Sequence, residues 1–307
     1  MTKEFFTFCR TLYTYRRQEE LIGKIWETCT EDRVSGAFVG EPVHGGGKGM
    51  RAFCAFVKKE WLEVLRTGKG MLLVIIFAIF GIINPAMARL TPWMMEQMLD
   101  SLEAMGLAVI GAEVDAMTSW TQFYKNAPMA LLVFLLIFSG SFTGEYQRGT
   151  LVNMVTKGLA RWKILAAKGM MMLFWWTVCF WGMYGITYGY NRYFWKDSME
   201  NLCDMGFAAF CLYLLGIWLI ALLVFASAFV SSSAAVLGVT GGIFFVLYLL
   251  RFLGKIRKFL PIQLLNASEL LTGMGAVSDY LPSVSLSLAF SLLLVAGAAI
   301  GFSRRKL

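Results

Sequence analysis

The sequence predicts an all-α, polytopic membrane protein with six transmembrane helices, an N-terminal interfacial helix and both termini in the cytoplasm. Three observations carry this. The 307 residues are 58% hydrophobic and 16% charged, whereas a soluble domain carries roughly a quarter charged residues. The apolar residues come in blocks that reach the roughly 17–25 residues a helix needs to cross a bilayer. The Lys and Arg residues fall mainly on one side of those blocks. A net charge of +8 then reads as cytoplasmic flanks beside anionic headgroups rather than as a nucleic-acid surface.

The spans are expected at about 70–88, 127–143, 164–190, 205–230, 234–250 and 281–302. Asn84-Pro85 is expected to kink or end the first, and Lys168 to snorkel from the start of the third. With the N-terminus inside, residues 1–69, 144–168 and the tail hold twenty basic residues against eight on the other side. The basic segment 251–258 faces outward in this frame and is its one exception. Trp120, Tyr124, Trp162, Tyr193 and Trp195 lie near span ends, where amphipathic rings anchor at the interface.

Residues 1–49 read as a cytosolic extension with an amphipathic pattern (Phe5, Phe8, Cys9, Leu12) that ends in a flexible Gly-rich linker, and residues 50–307 as the transmembrane domain. Residues 51–66 place Phe53, Phe56, Val57, Trp61, Val64 and Leu65 on one helical face and Lys58, Lys59, Glu63 and Arg66 on the other. Such a helix lies in the headgroup plane. External loops are expected at 89–126, with a short helix after Pro92, and at 251–280.

Several chemistries are excluded. "HGGGKGM" lacks the G-x-x-x-x-G-K-[ST] spacing of a phosphate loop. Six dispersed cysteines and one histidine, His44, supply no metal site, and no histidine within the membrane serves Ser139 or Ser141 as a base. No catalytic residue is expected. No ionisable residue falls deep inside any span, which removes the usual seat of a coupling ion. Energy for moving a solute would come from an ATP-hydrolysing partner. Gly185/Gly189, Gly238/Gly242 and Gly297/Gly301 form small-xxx-small pairs, and Ser283, Ser287 and Ser291 form a stripe that either lines a path or packs.

The inner loop 144–163 carries the remaining signal. In "GEYQRGTLVNMVTKGLARWKI", Thr150 suits an N-cap and Gly158 a stop, with Leu151, Met154, Val155 and Leu159 on one face. Together with "AFVKKEWLEVLRTGKGMLLVIIFAIFGIINP" at 55–85 and the ending "ASELLTGMGAVSDYLP…GFSRRKL", this loop resembles the permease subunit of ABC-2-type ABC transporters. The resemblance runs from about Met50 to the C-terminus, and residues 1–49 depart from it. They are either a cytosolic extension or an overlong reading of the gene.

The resemblance implies that Glu145, Gly149, Thr150 and Leu151 open a coupling helix that docks on an ABC ATPase subunit. Residues 51–66 would be the connecting helix and 261–280 external re-entrant helices. Within the loop, Glu145 and Arg148 would fix docking by charge, while Leu151, Met154 and Val155 fill an apolar groove. The chain is therefore expected to be the permease of an ATP-driven exporter in a bacterial or archaeal cell membrane. A second copy or a paralogue would complete the path, with ATP and Mg on the partner and no cofactor here. The alternatives are a non-transporting membrane scaffold or sensor that assembles with an ATPase, and an intramembrane lipid-modifying enzyme.

Overall fold

A computed structural model describes residues 46–104, 116–147, 149, 160–195, 202–252, 259–271 and 277–304. The elements in chain order are α1 (Gly46–Arg66), α2 (Lys69–Ala104), α3 (Ala116–Phe138), α4 (Gly140–Gln147), α5 (Arg161–Phe194), α6 (Leu202–Phe229), α7 (Ser233–Leu250), a 3₁₀ helix (Pro261–Leu270) and α8 (Val277–Arg304). No strand occurs among the described residues. Six segments are long and apolar enough to span a membrane: Lys69–Met94, Ala116–Gln147, Arg161–Phe194, Asp204–Phe229, Ser233–Leu250 and Val277–Arg304. All six expected spans are present, with longer helices around most of them.

Residues Gly47–Leu307 form one compact unit. At its centre stands α6, which packs against α5, α7, α8 and the 3₁₀ helix. Its apolar window is 78% buried, against 11% for α7 and 17% for α8. α6 is thus a core helix, whereas α7 and α8 leave most of their surface uncovered within the chain. On the other flank α2 packs against α3 and α5. Aromatic residues fill the seams, among them Trp120, Phe123, Phe134, Trp176 and Phe180. The buried polar tips find backbone partners: Trp176 Nε1 donates to Tyr213 O at 3.1 Å, and Tyr124 Oη to Met205 O at 2.7 Å. Only glycine fits at position 216, because a Cβ there would lie 2.3 Å from the Trp176 ring.

The first span departs from expectation. α2 runs unbroken through Pro85 and Pro92, so residues 89–104 continue it rather than forming a loop with a separate short helix. Residues 116–126 likewise belong to α3, and 105–115, the rest of the expected loop 89–126, lie outside the described residues. A proline normally orphans the carbonyl four residues back and breaks the helix. Here the carbonyl concerned is that of Gly81, and Thr187 Oγ1 of α5 donates to it at 3.0 Å. Asn84 Nδ2 donates to Thr187 Oγ1 at 3.1 Å, and Asn126 Nδ2 donates to Asn84 Oδ1 at 2.8 Å. A neighbouring helix thus supplies the bond that proline removes, as membrane helices allow.

Three further differences follow. α1 begins at Gly46, so the glycines assigned to a linker form its first turn. Within the expected loop 251–280, residues 261–270 are a 3₁₀ helix whose Pro261, Ile262, Leu264 and Ala267 are buried against α6 and α8. The pairing of Tyr280 Oη with Asn266 O at 3.0 Å ties that helix to the start of α8. Residues 1–45 and most of the basic segment, 253–258, lie outside the described residues.

Candidate functional site

The inner loop leaves the bundle at α4, and the residues that open it meet α1 and α5 in a buried ionic junction. α1 packs by a stripe of Phe56, Glu60 and Val64, all buried and spaced one turn apart. Phe53, Val57, Trp61 and Leu65 flank the stripe, are half-buried, and pack against the core. Trp61 stacks on Trp175 at 5.8 Å and meets Phe174 edge-on at 4.8 Å. The apolar face of α1 therefore rests on the bundle.

Glu60 is the carboxylate in that stripe. Lys168 Nζ of α5 donates to Glu60 Oε2 at 2.7 Å and lies 3.1 Å from Glu145 Oε2 of α4. Lys59 Nζ lies 3.0 Å from both Glu60 Oε1 and Glu63 Oε2, and also donates to Glu145 Oε1. Lys168 is 1% exposed, Glu60 4% and Glu145 7%. Phe56 and Phe142 lie near the Lys168 ammonium, at 6.0 and 5.7 Å. Lys168 does not snorkel. It lies two turns into α5, and two carboxylates hold it inside.

The expectation that spans lack ionisable residues is corrected to that extent: Glu145 and Lys168 both fall within membrane-length segments, near one end. Three carboxylates and two ammonium groups leave one negative charge in excess. Burial alone would push the Lys59 ammonium below its ordinary value, but Glu145, Glu60 and Glu63 outweigh it and hold it above. Burial likewise works against the Glu63 carboxylate, and Lys59 overrides it, so Glu63 sits below the usual 4.5.

Glu60, Glu63 and Glu145 bring ligand oxygens within 4.8 Å of one another, as a divalent cation would require. The Lys59 ammonium already stands in contact with all three. The chemistry is that of a salt-bridge clamp, not of a metal site. The clamp fastens α1, the head of the inner loop and α5 to one another.

Just past α4, Gly149 has φ +64° and its N–H donates to Tyr146 O at 3.1 Å. This left-handed residue turns the chain out of α4, a conformation glycine adopts without strain. Gly68, at φ +71°, does the same between α1 and α2. Arg148, Thr150, Leu151, Met154 and Val155 lie outside the described residues. Ser283, Ser287 and Ser291 are buried along α8; Ser287 Oγ donates to Ser283 O at 2.6 Å and Ser291 Oγ to Ser287 O at 2.7 Å. Gly297 and Gly301 receive the Phe225 and Phe229 rings of α6.

Sequence reasoning missed Glu60 and misplaced Lys168. A carboxylate set between Phe56 and Val64 on an apolar face, and a lysine inside "ILAAKGMMML", are mutual signals of a buried pair. It also missed Asn126 and Thr187, whose partner Asn84 was read only as a helix breaker.

These features define the class first: a multi-pass helical membrane protein with an amphipathic entry helix clamped to its spans beside the loop that joins the second and third. Residues 54–253 match the family described as ABC-2 family transporter protein. The chain belongs to that family and is a membrane transporter component. It is also similar to the "Uncharacterized transmembrane protein YxlG" of Bacillus subtilis (strain 168), at 24% identity over 256 residues, 80% of this chain and 93% of that one.

Proposed function

We propose that this chain is the permease subunit of an ATP-driven exporter, acting in the cell membrane with both termini cytoplasmic. A separate ABC ATPase subunit, carrying ATP and Mg²⁺, docks on the inner loop 144–163, and a second copy or a paralogue completes the path. The single observation that supports this reading is the buried clamp at the head of that loop. Glu145 is held by Lys59 of α1 and Lys168 of α5. A push on the loop is therefore passed to two other elements rather than absorbed by a slack connection. Coupling of this kind needs a contiguous network with two arrangements, and the clamp supplies the network.

Docking and transmission divide between residues. Glu145 transmits, because its carboxylate is spent within the chain. Arg148, Leu151, Met154 and Val155 dock, the charge orienting the partner and the apolar side chains filling its groove. Leu151→Asp separates the two, since it leaves every clamp residue unaltered. The chain is reconstituted in lipid with a candidate ABC ATPase subunit from the same organism. The reading predicts that Leu151→Asp inserts normally but neither retains the ATPase on pull-down nor stimulates its hydrolysis. Wild-type retention and stimulation in that variant would overturn the docking assignment.

A further inference from the structure

At the end of the bundle away from the clamp, α2 and α5 leave an outward-facing groove. Two adjoining hollows of about 370 and 270 Å³ share Arg89 and Phe194. The floor of the larger is apolar, with Ile82, Pro85, Ala86 and Leu90 from α2 and Tyr190 from α5. Ile82, Leu90, Tyr190 and Phe194 are exposed along it, the surface expected of a wall that faces acyl chains. Arg89 lies twenty residues past the start of α2, which at 1.5 Å per residue is about 30 Å, the thickness of a hydrocarbon core.

Arg89 is exposed and forms no ion pair or hydrogen bond among the described residues. Its one recorded partner is the face of Phe194, 4.6 Å from the guanidinium carbon. This contact sets the cation at the mouth of the groove, with its donors unused among the described residues. The helix terminus does not account for this charge, since α2 continues to Ala104. A guanidinium with no anion among the described residues, above an apolar trough one bilayer thickness from the start of α2, complements an amphiphile with a negative head and a hydrocarbon tail.

We propose that this groove is a binding site for an anionic phospholipid, with its phosphate on Arg89 and one acyl chain lying along Ile82, Ala86 and Tyr190. Phosphate matches the planar fork of arginine, and the aromatic neighbours Tyr190 and Trp195 suit the headgroup level. The site is independent of the clamp and of any ATPase.

The test is native mass spectrometry of the purified full chain, titrated with dioleoylphosphatidylglycerol or dioleoylphosphatidylcholine, which share tails and differ in head. Phosphatidylglycerol should bind the wild type about fivefold more tightly, the factor expected of one arginine at an anionic surface. Arg89→Gln should abolish that preference, Arg89→Lys should keep it, and Arg304→Gln at the opposite end should leave it unchanged. Ala86→Trp, which fills the trough without touching the charge, should reduce binding of both lipids at the site. If Arg89→Gln fails to fold, Ala86→Trp reads the same site. Equal binding of the two lipids by the wild type, or a preference that survives Arg89→Gln, would overturn the proposal. So would a dimer that Ala86→Trp breaks, because a second copy would then be the occupant.

Discussion

Lys168 and Glu60 are the residues on which the inner end of the bundle depends. Each is buried, and without the other each keeps a single opposite charge, Lys59 for Glu60 and Glu145 for Lys168. Removing one partner of a buried pair costs about 3–5 kcal/mol, while replacing both with apolar groups is often neutral. Lys168→Met should therefore destabilise the protein by about 3 kcal/mol in reversible unfolding, and Glu60→Leu/Lys168→Met should recover much of that loss. A double variant as unstable as the sum of the singles would show that the two residues do not act as a pair. Thr187 poses a smaller case. Thr187→Val keeps the volume but strands the Gly81 carbonyl and the Asn84 amide. The expected cost is about 1 kcal/mol, in line with interhelical hydrogen bonds in membranes, and Thr187→Ser should restore it. These residues were hard to see in the sequence because their meaning lies in partners far along the chain: 108 positions separate Lys168 from Glu60, and 103 separate Thr187 from Asn84. Periodicity reports which face a residue occupies, not what waits on the neighbouring helix.

Among the elements, α1 joins most directly to the inner loop. Its Lys59 and Glu63 titrate in opposite directions from their ordinary values. A lowered carboxylate contributes stability above 4.5 and loses it as the pH falls through the folded value. A raised ammonium contributes below 10.5 and loses it only as the pH climbs beyond that. The clamp is thus at full strength between these limits and weakens on acidification. The melting temperature should fall below about pH 4.5, and Glu63→Gln should make that fall shallower. A flat profile through that region, or one unaffected by Glu63→Gln, would remove α1 from the account. Gly149→Ala should cost roughly 1 kcal/mol, the penalty of a Cβ in the left-handed region, and Gly149→Asn less. The six long apolar runs were legible because each exceeds the membrane requirement on its own. α2 was misread at Pro85 and Pro92 because a proline rule describes one helix, while the missing bond at Gly81 is made good by another. A helical element within 261–280 was expected only from the family resemblance, because its mixed composition reads as a loop until α6 and α8 close over residues 261–270.

At the scale of the whole molecule, α6 forms the buried centre; α8 packs on it more extensively than any other helix and α7 less so, and both leave most of their own surface uncovered. The asparagine–threonine network joins α2, α3 and α5 at one level, and the clamp joins α1, α4 and α5 at the other, so α5 takes part in both. Membership of the ABC-2 family was legible from "GEYQRGTL" and its setting between two spans, since that pattern is local. The role of Glu145 was not, because it turns inward to two lysines on other helices, and the proposed docking positions beyond Gly149 lie outside the described residues. The central claim is that the clamp carries energy from the docked ATPase into the spans. The most direct test is ATP hydrolysis by the reconstituted complex carrying Lys168→Met, once size exclusion has shown the variant to be folded. The account predicts that the ATPase stays bound while its stimulation by the permease falls about fivefold or more. Full stimulation with Lys168 removed would contradict it.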